Sequence, residues 1–143
     1  MSKPMSIATQ AKMIGCIRNN FDISLSVVAE LLGVERRDVA DVFYKQKPSG
    51  LATKKLLFLF IQSKRFAKMN YVRPDYMFTR PVLPNLRVWS LLKEGKEIPS
   101  VVLQYLKTLD TMEAEARARG QGGKPFRSIR DAIDDISTPL CTN

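Results

Sequence analysis

Histidine is absent from this sequence. That removes the usual general base and the familiar nucleophile–histidine pairs. Cysteine is almost as scarce: Cys16 and Cys141 lie near opposite ends. A tetrahedral zinc site takes about four Cys or His ligands, so no metal is implied, and two distant cysteines read as free thiols. Long apolar runs are missing too. The longest, Leu56–Ile61, falls far short of the roughly 20 residues that span a bilayer. The opening MSKPMSIATQ has neither the basic start nor the apolar stretch of a signal peptide, so a cytoplasmic protein with no membrane role is expected. Gly120-Gln121-Gly122-Gly123 is rich in glycine but lacks the Lys-Ser/Thr and preceding strand of a phosphate loop. No enzyme and no cofactor are expected.

Acidic residues are also missing from a long internal stretch. Between Asp41 and Asp75 there is no Asp or Glu, but there are eight bases: Lys45, Lys47, Lys54, Lys55, Lys64, Arg65, Lys68 and Arg73. The chain of 143 residues carries a net charge of +9, with twelve Lys or Arg against five Asp or Glu in residues 1–70 and eleven against nine in the remainder. A single-sign stretch of this kind suits a phosphate backbone, and equally suits a solvated basic face.

What is present is mainly helical periodicity. Ile7, Ala11, Ile14, Ile17 and Phe21 recur at helical spacing over residues 7–20, with Asn19, Asn20 and Asp22 marking the end. Ser24 is placed to cap a second helix carrying Val27, Val28, Leu31 and Leu32, which Gly33 stops. A third helix begins near Glu35 and turns Val39, Val42 and Phe43 inward. Lys47-Pro48-Ser49-Gly50 breaks it, and a leucine-rich fourth helix follows from about Leu51 to Lys68. Residues 70–84 contain three prolines and several aromatics and read as an extended connector, with a short strand around Tyr76–Thr79. Helical signal returns over Asn85–Glu94, with Leu86, Trp89 and Leu92 inward. After Gly95, Pro99 fits the first turn of another helix. The expected apolar stripe of that helix is Ile98, Val102, Tyr105, Leu109 and Met112, with Glu113–Arg119 projecting into solvent.

The segment LSVVAELLGVERRDVADVFY, Leu25–Tyr44, meets the local demands of two short helices joined at a steep angle. Ala29 is small where the helices approach. Gly33, four residues later, tolerates a positive φ. Val28, Leu32, Val34, Val39 and Val42 supply the apolar wedge. The run VVAELLGVERRDVADVF, followed by KQKPSGLATKKLLFLF, resembles the lambda-repressor-like (Cro/repressor, xenobiotic-response-element) helix-turn-helix family over about residues 7–65. The resemblance implies a small helical bundle, a homodimer on operator DNA, and a recognition helix from Glu35 to about Tyr44 lying in the major groove. Its outward residues would be Glu35, Arg36, Arg37, Ala40, Asp41 and Tyr44. Arg36 and Arg37 are the candidates for bidentate guanine or phosphate contact. Tyr44, Lys45 and Lys47 would grip phosphates, joined by Lys54 and Lys55 from the next helix. Leu25 stands where many members have glutamine. Asp38 and Asp41 put acid on the third helix, Asp38 near the positive end of its dipole and Asp41 four residues from Arg37, in reach of an intrahelical pair.

The expected fold class is therefore all-α: a helix-turn-helix unit over residues 1–68, a proline-rich connector over 69–85, a helical extension over 86–119, and a flexible link with a short amphipathic tail helix over 120–143. NLRVWSLLKEGKEIPSVVLQYLKTL parallels DVADVFYKQKPSGLATKKLLFLF, so the extension reads either as a decayed second copy or as a helical hairpin that packs or dimerises. Trp89, Tyr105 and Phe126 are expected in cores rather than stacked on bases. Sequence-specific binding of double-stranded DNA, as a homodimeric transcriptional regulator, is the leading expectation. The alternatives are a protein-interaction module or antitoxin on the same scaffold, holding a protein partner through its C-terminal half, or a DNA-binding accessory factor of a mobile element.

Overall fold

Side-chain caps set the first two helices. Ser6 precedes α1 (Ile7–Phe21) and its hydroxyl accepts from the Thr9 backbone N–H at 3.1 Å. Ser24 does the same for α2 (Leu25–Leu32) through Val27. Between them, Asp22 adopts the left-handed conformation at φ 59°, which a short polar side chain tolerates. The computed structural model describes residues 5–121, and among these the chain is all-α, with five further helices and no strand. They are α3 (Arg36–Lys45), α4 (Thr53–Lys68), α5 (Pro74–Thr79), α6 (Val88–Lys93) and α7 (Ser100–Gln121). The expected tail helix, with Phe126, and Cys141 lie outside the described residues.

The core begins on α1, where Ala11, Ile14, Ile17 and Phe21 form one buried stripe against α3 and α4. α4 answers with Leu56, Leu59 and Phe66. Leu57 and Ile61, one position off this register, are exposed. Asn20 donates to the buried Ser63 hydroxyl at 3.1 Å, and Ser63 donates to the Phe60 carbonyl, so this polar contact inside the α1–α4 seam is satisfied.

The connector expected to be extended, with a strand at Tyr76–Thr79, is instead the site of α5. Arg73 stays non-helical ahead of the proline, and Pro74 opens the helix, where its missing N–H costs nothing. Asp75 sits in the first turn at the positive end of the dipole. The deciding factor is tertiary. Met77 and Phe78 are buried, and the Phe78 ring lies 4.9 Å from Phe21 and 6.4 Å from Phe66. The chain then turns through an isolated antiparallel bridge between Leu83 and Leu86. α6 buries Val88, Leu91 and Leu92 against α2 and α5. Trp89 and Leu86, expected inward with Leu92, are only half-buried.

α7 also differs from expectation. Its buried face is Val102, Leu103, Leu106 and Asp110, continuing from Ile98 in the preceding loop. Tyr105 and Met112, expected in the core stripe, are exposed at 46% and 57%, and Leu109 is half-buried. Polar anchors fix this rotation. The Asp110 carboxylate accepts from the backbone N–H groups of Val72 and Arg73 at 2.6 and 3.2 Å. The Tyr71 hydroxyl donates to the Leu103 carbonyl at 2.9 Å. On the α4 side, Gln62 accepts from the Ile98 N–H at 2.9 Å, and Arg65 donates to the Ile98 carbonyl at 2.7 Å. Beyond Asp110 the helix is held by an ion pair between Arg80 and Glu113, so Glu113 does not project freely. The helix also continues through Gly120, which is no break, to Gln121.

Two measurements check this packing. Phe78→Ala should destabilise the protein by about 3–5 kcal/mol in denaturant titration, the loss typical of a buried phenylalanine and far more than an extended surface connector would show. Burial pushes the Tyr71 phenol above its ordinary value, and the charge of Asp110 adds to the shift. The folded state therefore favours the neutral phenol. Its contribution is complete below the unfolded value of 10.0 and fades as pH rises beyond it. The stability advantage of wild type over Tyr71→Phe should be about 1 kcal/mol at neutral pH and should shrink above pH ~10.

Candidate nucleic-acid interface

α2 and α3 are joined by three residues whose backbone is set by Gly33. Its φ is +73°, in the left-handed region where a Cβ is unfavourable. The Gly33 N–H donates to the Glu30 carbonyl at 3.2 Å and the Val34 N–H to the Ala29 carbonyl at 3.0 Å, which closes the exposed end of α2. Inside the angle, Val28, Ala29 and Leu32 of α2 meet Val39 and Val42 of α3, all buried. Val34 and Phe43 are half-buried at the edge. Phe43 lies over Gly15 of α1, where an added Cβ would come within 3.2 Å of its ring, and the Arg18 guanidinium stands 5.9 Å from the ring centre.

Asp38 accepts from the Glu35 N–H at 3.4 Å, a cap on the start of α3. This gives the carboxylate an intramolecular task. At the other end Gln46 adopts the left-handed conformation, and its N–H returns to the Val42 carbonyl at 3.1 Å. The Lys47-Pro48-Ser49-Gly50 turn is tied back to the same helix, since the Ser49 hydroxyl donates to the Asp38 carbonyl at 2.7 Å. In the sequence Ser49 reads only as part of a helix breaker, with no bond assigned to it. A serine between proline and glycine in a turn was the available signal.

With Val39 and Val42 turned inward, helical geometry puts Arg37, Ala40, Asp41 and Tyr44 on the opposite face, while Arg36, three residues before Val39, lies at its edge. Arg36, Arg37, Tyr44 and Lys45 are exposed, Tyr44 by 63%, while Ala40 and Asp41 are half-buried. The Arg37–Asp41 pair allowed by the spacing is not formed. Among the described residues, no ion pair within 4.0 Å involves Arg36, Arg37 or Asp41. The candidate residues are therefore brought together unevenly. Arg37, Ala40 and Tyr44 share one face of a single helix, with the exposed Arg36 at its edge. Lys47 is exposed in the following turn, and Lys54 is exposed in the first turn of α4. Lys55 is half-buried, and its amine lies 3.6 Å from the point a Gly33 Cβ would occupy. That places it beside the carbonyl end of α2, where a cation is favoured.

Among the described residues no group of three His, Cys, Asp or Glu side chains could hold a metal ion, and no helix is long and apolar enough to cross a membrane. Cys16 is a free, exposed thiol on α1. Comparison with family models, curated proteins and solved structures finds no match for this chain.

The turn geometry makes a specific demand. Gly33→Ala adds no close contact, because the nearest atom is the mobile end of Lys55. Its cost should come from the left-handed backbone alone, about 1–2 kcal/mol by denaturant titration, with helix content unchanged by circular dichroism.

Proposed function

We propose that this chain binds double-stranded DNA through α3 and acts as a sequence-specific transcriptional regulator on the lambda-repressor-like plan. The observation that carries the reading is the division of α3 into two faces. Val39 and Val42 close the angle with α2, while Arg36, Arg37 and Tyr44 face outward without an ion pair among the described residues. A guanidinium with no ion-pair partner among the described residues has its fork of donors free of them for a guanine edge or a phosphate. Lys45, Lys47 and Lys54 follow in a stretch with no acid, and they would set the register by holding the backbone rather than by reading bases. Dimeric binding to a two-fold operator goes with this plan.

A second reading has its own support. Val101, Tyr105 and Met112 are exposed on α7, at 73%, 46% and 57%. Apolar side chains repeated along one exposed helix suit a protein partner, as in an interaction module or an antitoxin. Salt separates the two. Binding through phosphates weakens steeply with salt, by about 0.9 in the log–log slope per phosphate contact, whereas an apolar contact does not.

Selection from random duplex DNA on the purified protein, followed by titration of the recovered site against salt, tests the proposal. The expected outcome is a palindromic site bound with a steep salt slope. Arg36→Ala/Arg37→Ala should lose roughly 2–6 kcal/mol on that site, the sum of two bidentate base contacts. Lys47→Ala should weaken all sequences alike and lower the salt slope by about 1. A folded double-arginine variant with unchanged specific affinity would remove α3 from the role given to it here.

A further inference from the structure

A cavity of about 460 Å³ opens between the α1–α2 turn, α2, α5 and α6, away from the outward face of α3. We propose that it binds a small organic cation with an aromatic body, a primary arylalkylamine in chemical class. The volume is that of an ordinary small-molecule site, about 300–1,000 Å³. Its walls are mostly apolar. Ile23, Val27 and Trp89 are half-buried and offer one ring and two branched side chains to an aromatic guest, above the fully buried Phe78. The site is also pre-formed. α6 packs on both α2 and α5, and the Lys93 amine, paired with Glu30, lies 4.8 Å from the Trp89 ring centre and steadies the indole, so a guest need not order these elements.

Charge selects the guest. Two carboxylates, Asp22 and Asp75, and one guanidinium, Arg87, line the cavity, which gives it a net negative charge in a chain of net charge +9. Both aspartates are exposed, hence at the mouth, and neither forms an ion pair within 4.0 Å among the described residues. Asp75 accepts from the Tyr76 N–H through one oxygen at 2.8 Å, and no side chain donates to it among the described residues. An ammonium at the mouth would gain charge-assisted hydrogen bonds from carboxylates that have no ion-pair partner among the described residues, with its ring against Trp89. An anion of the same shape would find one guanidinium and meet two like charges.

Trp89 is the sole tryptophan and lies in the cavity wall, so its fluorescence reports occupancy directly. The test titrates the full chain with 2-phenylethylamine and, as the same ring with the opposite charge, 3-phenylpropionate. The amine should change Trp89 emission saturably, and the acid should bind at least several-fold more weakly. Asp75→Asn and Asp22→Asn should each weaken the amine by roughly two- to fivefold, the range of an exposed ion pair, and leave the acid no weaker. Asparagine tolerates the left-handed backbone at residue 22, and circular dichroism verifies that both variants are folded. Absence of saturation by the amine, equal binding of amine and acid, or amine binding unchanged in both folded variants would each overturn the proposal. DNA is not part of the readout, so either result leaves the reading of α3 standing on its own test.

Discussion

Four rings hold the two halves of the sequence together. Phe21 closes α1, Phe66 lies on α4, and Phe78 belongs to α5, with Tyr71 in the loop between the last two. Phe21 is 5.0 Å from Phe66 and 4.9 Å from Phe78, and Phe66 is 4.7 Å from Tyr71, all at the tilted angles that aromatic pairs prefer. The seam between α1 and α4 is thereby capped by α5. Everything downstream is positioned from this point. Tyr71 reaches to the Leu103 carbonyl, and the backbone of Val72 and Arg73 is held by Asp110, so the same few residues that meet the phenylalanines also seat α7. Removing a ring here would loosen α5 and α7 together, because neither has an apolar face broad enough to stand alone.

The first four helices were legible because each carries its own punctuation. Asp22, Ser24, Gly33 and Lys47-Pro48-Ser49-Gly50 state where helices begin or end, and the period of Ile14, Ile17 and Phe21 states which side is buried, while the Ser6 cap on α1 emerges only from the structure. α5 was not legible for the opposite reason. Nothing local favours a helix over Pro74–Thr79 beyond the proline and Asp75, and its stability comes from Phe78 meeting rings 57 and 12 residues away in sequence, on Phe21 and Phe66. α7 failed in a different manner. It has two apolar faces, one with Val102, Leu103 and Leu106 and another with Val101, Tyr105 and Met112, and periodicity cannot choose between them. Asp110 makes the choice. A carboxylate reads as outward in sequence, yet this one is buried because it satisfies two backbone N–H groups of the 72–73 loop.

The acids on the third helix show how a composition argument is refined by geometry. Counted as charges, Glu35, Asp38 and Asp41 weaken the case that α3 approaches phosphate. By position, they are not equivalent. Asp38 is engaged at the Glu35 N–H, where a carboxylate stabilises the helix from its positive end. Asp41 is half-buried beside the two arginines without pairing to either. The exposed side of α3 thus presents two guanidinium groups that form no ion pair among the described residues, and of its three acids only Glu35 is exposed.

The start of α4 carries the electrostatic argument further. Its cap is Ala52, whose side chain accepts nothing, its first turn contains no acid, and Lys54 and Lys55 are placed where the helix dipole disfavours cations. A sequence shaped for helix stability alone would have put Ser, Asp or Glu there. The two lysines resolve this conflict differently. Lys55 turns its amine back toward Gly33 and the carbonyl end of α2, so that the cation lost to one dipole is gained by another. Lys54 has no such compensation within the described residues and points into solvent. Local rules that a fold breaks without repayment are expected where a surface serves something outside the molecule. Lys54, exposed within a stretch that holds no acid and beside backbone N–H groups that Ala52 does not cap, is the point in α4 where those rules are broken without repayment among the described residues.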